Sequence, residues 1–134
     1  MASIIDIEGI GPDYAKKLKK VGVHTTGALL KRGATEQGRK DLAEDTGISK
    51  KLILEWVNHA DLYRIKGVGE EYSDLLEEAG VDTVVELSKR VGANLYAKMV
   101  EVNQAKELVR RLPTESQVYD WIKQAKQLPR AVQY

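Results

Sequence analysis

The sequence contains no cysteine and no phenylalanine, and it has almost no net charge. Each shortage closes off a class of protein. Without thiols there is no disulfide scaffold, no thiolate zinc site and no cysteine nucleophile. A cysteine-free chain suits a reducing compartment, and a cytoplasmic location is expected. No apolar run approaches the roughly 18–20 residues that span a bilayer, so no membrane partner is expected. The start, Met1-Ala2-Ser3-Ile4-Ile5-Asp6, has neither the basic nor the apolar stretch of a signal peptide. The 21 Lys and Arg against 20 Asp and Glu leave a charge of +1, which removes the simplest argument for nucleic acid, a strongly basic chain. What remains is a 43% apolar chain of 134 residues, enough to bury a core in one compact domain or two small units.

The chain repeats itself. A shift of 58 residues aligns Ile7, Gly9, Gly11, Tyr14, Leu18, Gly22, Val23, Thr25 and Leu29 with Ile65, Gly67, Gly69, Tyr72, Leu76, Gly80, Val81, Thr83 and Leu87. Further on the shift becomes 65, matching Ser49, Trp56, Val57 and Ala60 to Thr114, Trp121, Ile122 and Ala125. The second copy therefore carries seven extra residues between its halves.

Helical spacing runs throughout: Tyr14, Leu18 and Val21 share a face, as do Ile53, Trp56, Val57 and Ala60. No alternating, β-branched run marks a strand. Thr83 to Glu86 and Thr114 to Gln117 fit the capping box, Thr35 and Ser49 fit N-caps, and Gly22, Gly33, Gly47 and Gly80 close periodic segments. Helices are predicted near 3–8, 12–21, 26–32, 36–46, 49–64, 70–79, 83–90, 94–110 and 114–128. There is no Gly/Ser/Pro linker, and the helix over 49–64 is expected to join the copies.

The sharpest local feature is Ile7-Glu8-Gly9-Ile10-Gly11-Pro12 and its counterpart Ile65-Lys66-Gly67-Val68-Gly69-Glu70. Two glycines bracket one apolar residue and a helix follows, with Pro12 suited to a first helical position. Neither loop has the third glycine or the preceding strand of a dinucleotide fingerprint.

Gly9-Ile10-Gly11, Ala15 to Leu18, Gly22-Val23, Thr25 and Leu29 resemble a helix-hairpin-helix motif, and Gly67-Val68-Gly69 through Leu87 resembles another. The whole chain is similar to a bacterial family, the DUF4332 proteins, through the segment Asn94–Asn103 and the Trp121-Ile122 ending with Ala125-Lys126. The resemblance implies an all-α fold: two tandem copies of a helix-hairpin-helix-containing unit of four to five helices, residues 1–60 and 61–134, packed as one body. It also implies a role. In helix-hairpin-helix proteins the hairpin amides grip a nucleic-acid phosphate without reading sequence, which would make Gly9, Ile10, Gly11 and Gly67, Val68, Gly69 the cradles. A glycine turn feeding a helix N-terminus concentrates amide donors and the positive end of the dipole.

Both copies depart from the basic residue usual after the second glycine. Pro12-Asp13 and Glu70-Glu71 follow instead. An acid in a first helical turn gains about 0.3–1 kcal/mol from the macrodipole, so these acids read as helix stabilisers that count against phosphate binding, chiefly in the second copy. The next helix separates the copies further: Lys16, Lys17, Lys19 and Lys20 correspond to Asp74, Leu75, Glu77 and Glu78. Residues 61–86 hold 2 basic and 8 acidic side chains, and residues 87–134 hold 9 and 4.

Two readings result. One is a non-catalytic module binding a DNA or RNA backbone through the first hairpin, with Lys16, Lys17 and Lys20 as its cations. The other is a protein-interaction or scaffold module, self-associating through the oppositely charged copies, in which the hairpins are only architecture. Nucleic acid leads because that is the motif's usual task. Lys31-Arg32 and Lys89-Arg90 read as structural cations at helix ends, and Trp56, Trp121, Tyr14 and Tyr72 as core. His24 and His59 have no partner at ligand spacing, and no nucleophile elbow or phosphate loop occurs, so no enzyme, metal or cofactor is expected.

Overall fold

Threonine and serine hydroxyls set where five of the eight α-helices among the described residues begin. A computed structural model describes residues 3–134; Met1 and Ala2, the first two residues of the start read above, lie outside them. A 3₁₀ turn, Ile4–Asp6, precedes α1 (Pro12–Lys20), α2 (Thr26–Arg32), α3 (Glu36–Thr46), α4 (Lys50–Leu62), α5 (Glu70–Glu78), α6 (Val84–Ser88), α7 (Gly92–Lys106) and α8 (Glu115–Gln127). The described residues are all-helical apart from turns and one isolated bridge between Ser3 and Thr25.

Thr25, Thr35, Ser49, Thr83 and Thr114 each accept a hydrogen bond from the amide three residues on, at 3.0–3.2 Å. These bonds satisfy first-turn donors that have no partner within the helix. Thr114 completes the predicted box, its own N–H donating to Gln117 Oε1 at 2.8 Å. Thr83 does not share that second bond. The Glu86 carboxylate turns instead to Arg90, whose Nη2 donates to it at 2.9 Å and also to the Gly80 carbonyl at 2.8 Å.

The chain forms two compact units, one running to Asp61 and including Ala131–Tyr134, the other Leu62–Arg130. A division into 1–60 and 61–134 puts the last four residues in the second unit; they pack with the first. Val132 is buried. The Gln133 N–H donates to the Ala34 carbonyl at 2.7 Å, and the Gln133 carbonyl accepts from Arg39 Nη2 at 2.7 Å. The Tyr134 hydroxyl donates to Asn58 Oδ1 at 3.2 Å.

Each unit buries one tryptophan, Trp56 or Trp121, at 1% exposure. Tyr14 lies against Trp56 with ring centroids 5.1 Å apart, and Tyr72 against Trp121 at 5.3 Å, in the tilted arrangement favoured by aromatic quadrupoles. In the second unit α8 packs on α6 and α7, and α7 on α5. Its core gathers Leu75, Leu76, Leu87, Leu95, Met99 and Val118 around Trp121.

The segment predicted as a helix over 94–110 occupies Gly92–Lys106. Glu107 takes a left-handed conformation, φ 51°, and ends it. The Asn103 side chain then pairs with the backbone of Val109, accepting its N–H at 2.9 Å and donating to its carbonyl at 3.1 Å. One side-chain amide thus replaces a backbone partner and holds the returning chain.

Candidate nucleic-acid interface

Each hairpin is built on a buried apolar pair and a tryptophan edge. In the first, Ile7 and Ile10 are buried, the Ile10 N–H donates to the Ile7 carbonyl at 3.1 Å, and Gly9 sits at φ +93°. In the second, Val68 donates to Ile65 at 3.1 Å and Gly67 sits at φ +98°. A methyl group at Gly9 would lie 3.4 Å from Trp56 Nε1, and one at Gly67 would lie 3.1 Å from Trp121 Nε1. The middle residues, Ile10 and Val68, point inward, so the glycines form the exposed rim.

Gly11 and Gly69 are the N-caps of α1 and α5, and neither has a side-chain hydrogen bond. Both helices therefore present uncapped first-turn amides beside the glycine rim, except at Pro12, which has no N–H. The far ends also match. Val23 donates to Leu18 at 3.0 Å and Gly22 to Lys19 at 3.1 Å, while Val81 donates to Leu76 at 2.8 Å and Gly80 to Glu77 at 2.9 Å. This paired bonding is a Schellman closure, and Gly22 and Gly80 supply its left-handed residue. Arg32 Nη1 donates to the Val21 carbonyl at 2.9 Å, as Arg90 does to Gly80, so both arginines brace the turn that follows the hairpin helix.

The hairpins differ in which amides are engaged. Lys66 N–H donates to Gln124 Oε1 at 2.8 Å and Gln124 Nε2 donates to the Lys66 carbonyl at 3.1 Å, a clamp on the second hairpin. At the first hairpin the amides of Glu8, Gly9 and Gly11 make no hydrogen bond to a described residue.

Charge separates them further. Lys16, Lys19 and Lys20 line a cleft of about 510 Å³ with Ile5, Pro12 and Ala15. Their spacing of three and four residues puts them on one face of α1. Lys17 lies elsewhere, its Nζ 5.8 Å from the centroid of the Tyr14 ring. None of the four lysines forms an ion pair with a described residue. On α5 the corresponding face is acidic, and Glu78 is paired with Lys106 of α7. The set Lys16, Lys17 and Lys20 is thus divided: two members meet at the cleft with Lys19, and Lys17 stacks on Tyr14. Helical spacing admits either Lys17 or Lys19 beside Lys16 and Lys20, since each set spans about 100° of the helix, and only the position of the Tyr14 ring and the cleft separates them. Ile5, exposed at 46% on the 3₁₀ turn, carried no signal of its place there.

Among the described residues no group of three or more His, Asp or Glu side chains could hold a metal ion, and no helix is long and apolar enough to cross a membrane. A family model described as a domain of unknown function, DUF4332, matches residues 8–128. No curated protein and no solved structure matches the chain.

Proposed function

The chain belongs to the DUF4332 family, and on that premise we propose that it is a non-catalytic module that binds a nucleic-acid backbone, without reading its sequence, through the first hairpin and α1. The observation that carries this reading is the coincidence of two features. The amides of Glu8, Gly9 and Gly11 are unengaged by described residues, and Lys16, Lys19 and Lys20 line one cleft on the helix that this turn feeds. Amides at an uncapped helix start favour a phosphate oxygen. Lysines along the same helix supply charge for the neighbouring phosphates without base recognition. Glu8 and Asp13 oppose this field, but the four lysines of α1 outnumber them.

The second hairpin, Gly67–Gly69, shares the backbone shape but is followed by Glu70 and Glu71 and has one amide held by Gln124. It is a minor contributor. Self-association through opposite charges has less support, because part of the acidic face it needs is engaged by Lys106.

Fluorescence anisotropy with a labelled duplex and a labelled single strand, at two salt concentrations, tests the reading. Binding is expected to weaken with salt by a log–log slope of about 0.9 for each duplex phosphate contacted. The triple variant Lys16→Glu, Lys19→Glu, Lys20→Glu is expected to lose binding, with Lys50→Glu, Lys51→Glu as an unaffected control. Absence of binding by the unaltered protein at low salt sinks the proposal. Salt-dependent dimerisation seen by sedimentation, without nucleic-acid binding, replaces it with the protein-interaction reading.

A further inference from the structure

A second cleft on the first unit, about 410 Å³ in volume, is bounded by Glu36, Arg39, Lys50, Lys51, Leu54 and Tyr134. Its chemistry is distinct from that of the hairpin. Arg39 is 5% exposed, and its guanidinium donates to the carbonyls of Gly33, Ala34 and Gln133 at 2.8, 3.3 and 2.7 Å. All three acceptors are neutral, and Arg39 has no carboxylate partner among the described residues. Burying a cation without a counter-charge is unfavourable even when its N–H groups are bonded. Lys50 and Lys51, on the first turn of α4, likewise form no ion pair with a described residue. Among the side chains that line it, three cations and one acid, Glu36, leave the cleft net positive.

The rest of the wall is flat and apolar. The Tyr134 ring is 5.9 Å from Arg39 Cζ, and Leu54 faces the same space. The second unit shows what fits in the corresponding place. Leu54 is the fifth residue of α4, and Tyr119 is the fifth residue of α8. Glu36 opens α3, and Gly92 opens α7. There the Tyr119 ring lies so close over Gly92 that a methyl group on it would overlap the ring at 2.1 Å. An aromatic ring of the chain itself therefore covers that position in the second unit, where Glu115 and Ser116 stand in place of the two lysines. The first unit has Leu54 there, and an open cleft walled by cations.

We infer that this cleft binds a small organic anion made of a flat aromatic ring and a single phosphate or carboxylate head group. The ring packs between Leu54 and Tyr134, and the head group meets Lys50 and Lys51 with the Arg39 charge behind it. A volume of about 410 Å³ is within the usual range for small-molecule sites. The site is independent of the hairpin reading, since it shares no residue with it.

Titration of the full chain with phenyl phosphate and with benzoate, followed through backbone amide resonances, tests the inference. Saturable shifts at Glu36, Arg39, Lys50–Leu54 and 131–134 are expected, and the tighter probe identifies the head group. Lys50→Glu, Lys51→Glu is expected to weaken binding by about tenfold or more. Acids in a first turn suit the helix dipole, so that variant keeps α4 intact. Leu54→Glu, which puts a carboxylate on the apolar wall of the cleft, is expected to abolish binding with the helical circular dichroism unchanged. The inference is overturned if neither probe saturates at millimolar concentration, or if inorganic phosphate binds as tightly as phenyl phosphate. Shifts that are unaffected by both variants overturn it as well.

Discussion

At Gly67 the backbone already lies at φ +98°, and a methyl group there would also press on Trp121 Nε1 at 3.1 Å. At Gly22, φ +87°, the same methyl group would meet nothing within 4 Å. The pair separates conformational strain from crowding. Gly22→Ala is expected to lose about 1 kcal/mol from the left-handed conformation alone. Gly67→Ala is expected to lose about 2 kcal/mol or more, because the indole edge must also move. Urea midpoints for the two variants check this, and equal losses would mean that Trp121 yields freely. Gly9→Ala, with 3.4 Å to Trp56, should fall between them. Arg39 shows a different limit on reading single residues. An arginine in a polar stretch reads as solvated, yet this one is buried because two carbonyls from the turn before its own helix and one from 94 residues away converge on it.

Between helices, the second hairpin depends on one side chain of α8. Gln124 makes two hydrogen bonds to the backbone of Lys66, filling the role of a strand neighbour where none exists. Gln124→Ala removes both bonds from an exposed site, a loss of about 1–2 kcal/mol. Amide exchange at Lys66 should accelerate by about tenfold, while exchange in the α5 core at Leu76 changes little; equal acceleration at both would show general destabilisation instead. Four helix starts were legible in the sequence because a hydroxyl at the cap is a local signal, sufficient at Thr35, Ser49, Thr83 and Thr114. The end of α7 was not. A charged residue, Glu107, takes the left-handed position that glycine usually marks, and Asn103 supports the break from inside the helix. The candidate site was legible in part for a similar reason: the glycine rim and the lysine cluster are local, but the choice between Lys17 and Lys19 depends on where Tyr14 and the 3₁₀ turn lie.

For the molecule as a whole, the charge of +1 conceals a lysine face on α1 and an acidic face on α5 partly neutralised by Lys106. The division into units also departs from chain order, since 131–134 belong with the first. Nothing in Ala-Val-Gln-Tyr announces this, because the contacts come from Val132 burial and backbone pairing to Ala34. Deleting 131–134 is expected to remove the buried Val132, worth roughly 1.5–3 kcal/mol by burial. It also exposes acceptor-seeking donors of Arg39. Hydrogen exchange should then show loss of protection in α3 and around Ala34, with Val118–Ala125 of α8 retained. A loss spread evenly over both units would refute a local role for the segment.

That segment also sets an order of events during synthesis. The first unit is interrupted after Asp61 and resumes only at Ala131, so all of Leu62–Arg130 must be synthesised before 131–134 exist. The second unit is continuous in the chain and needs no segment from outside Leu62–Arg130. Until 131–134 are made, the guanidinium of Arg39 lacks its Gln133 acceptor, across a separation of 94 residues. The half that is made first therefore waits for a segment made after the other half, and any ligand requiring Tyr134 can engage only once that segment exists.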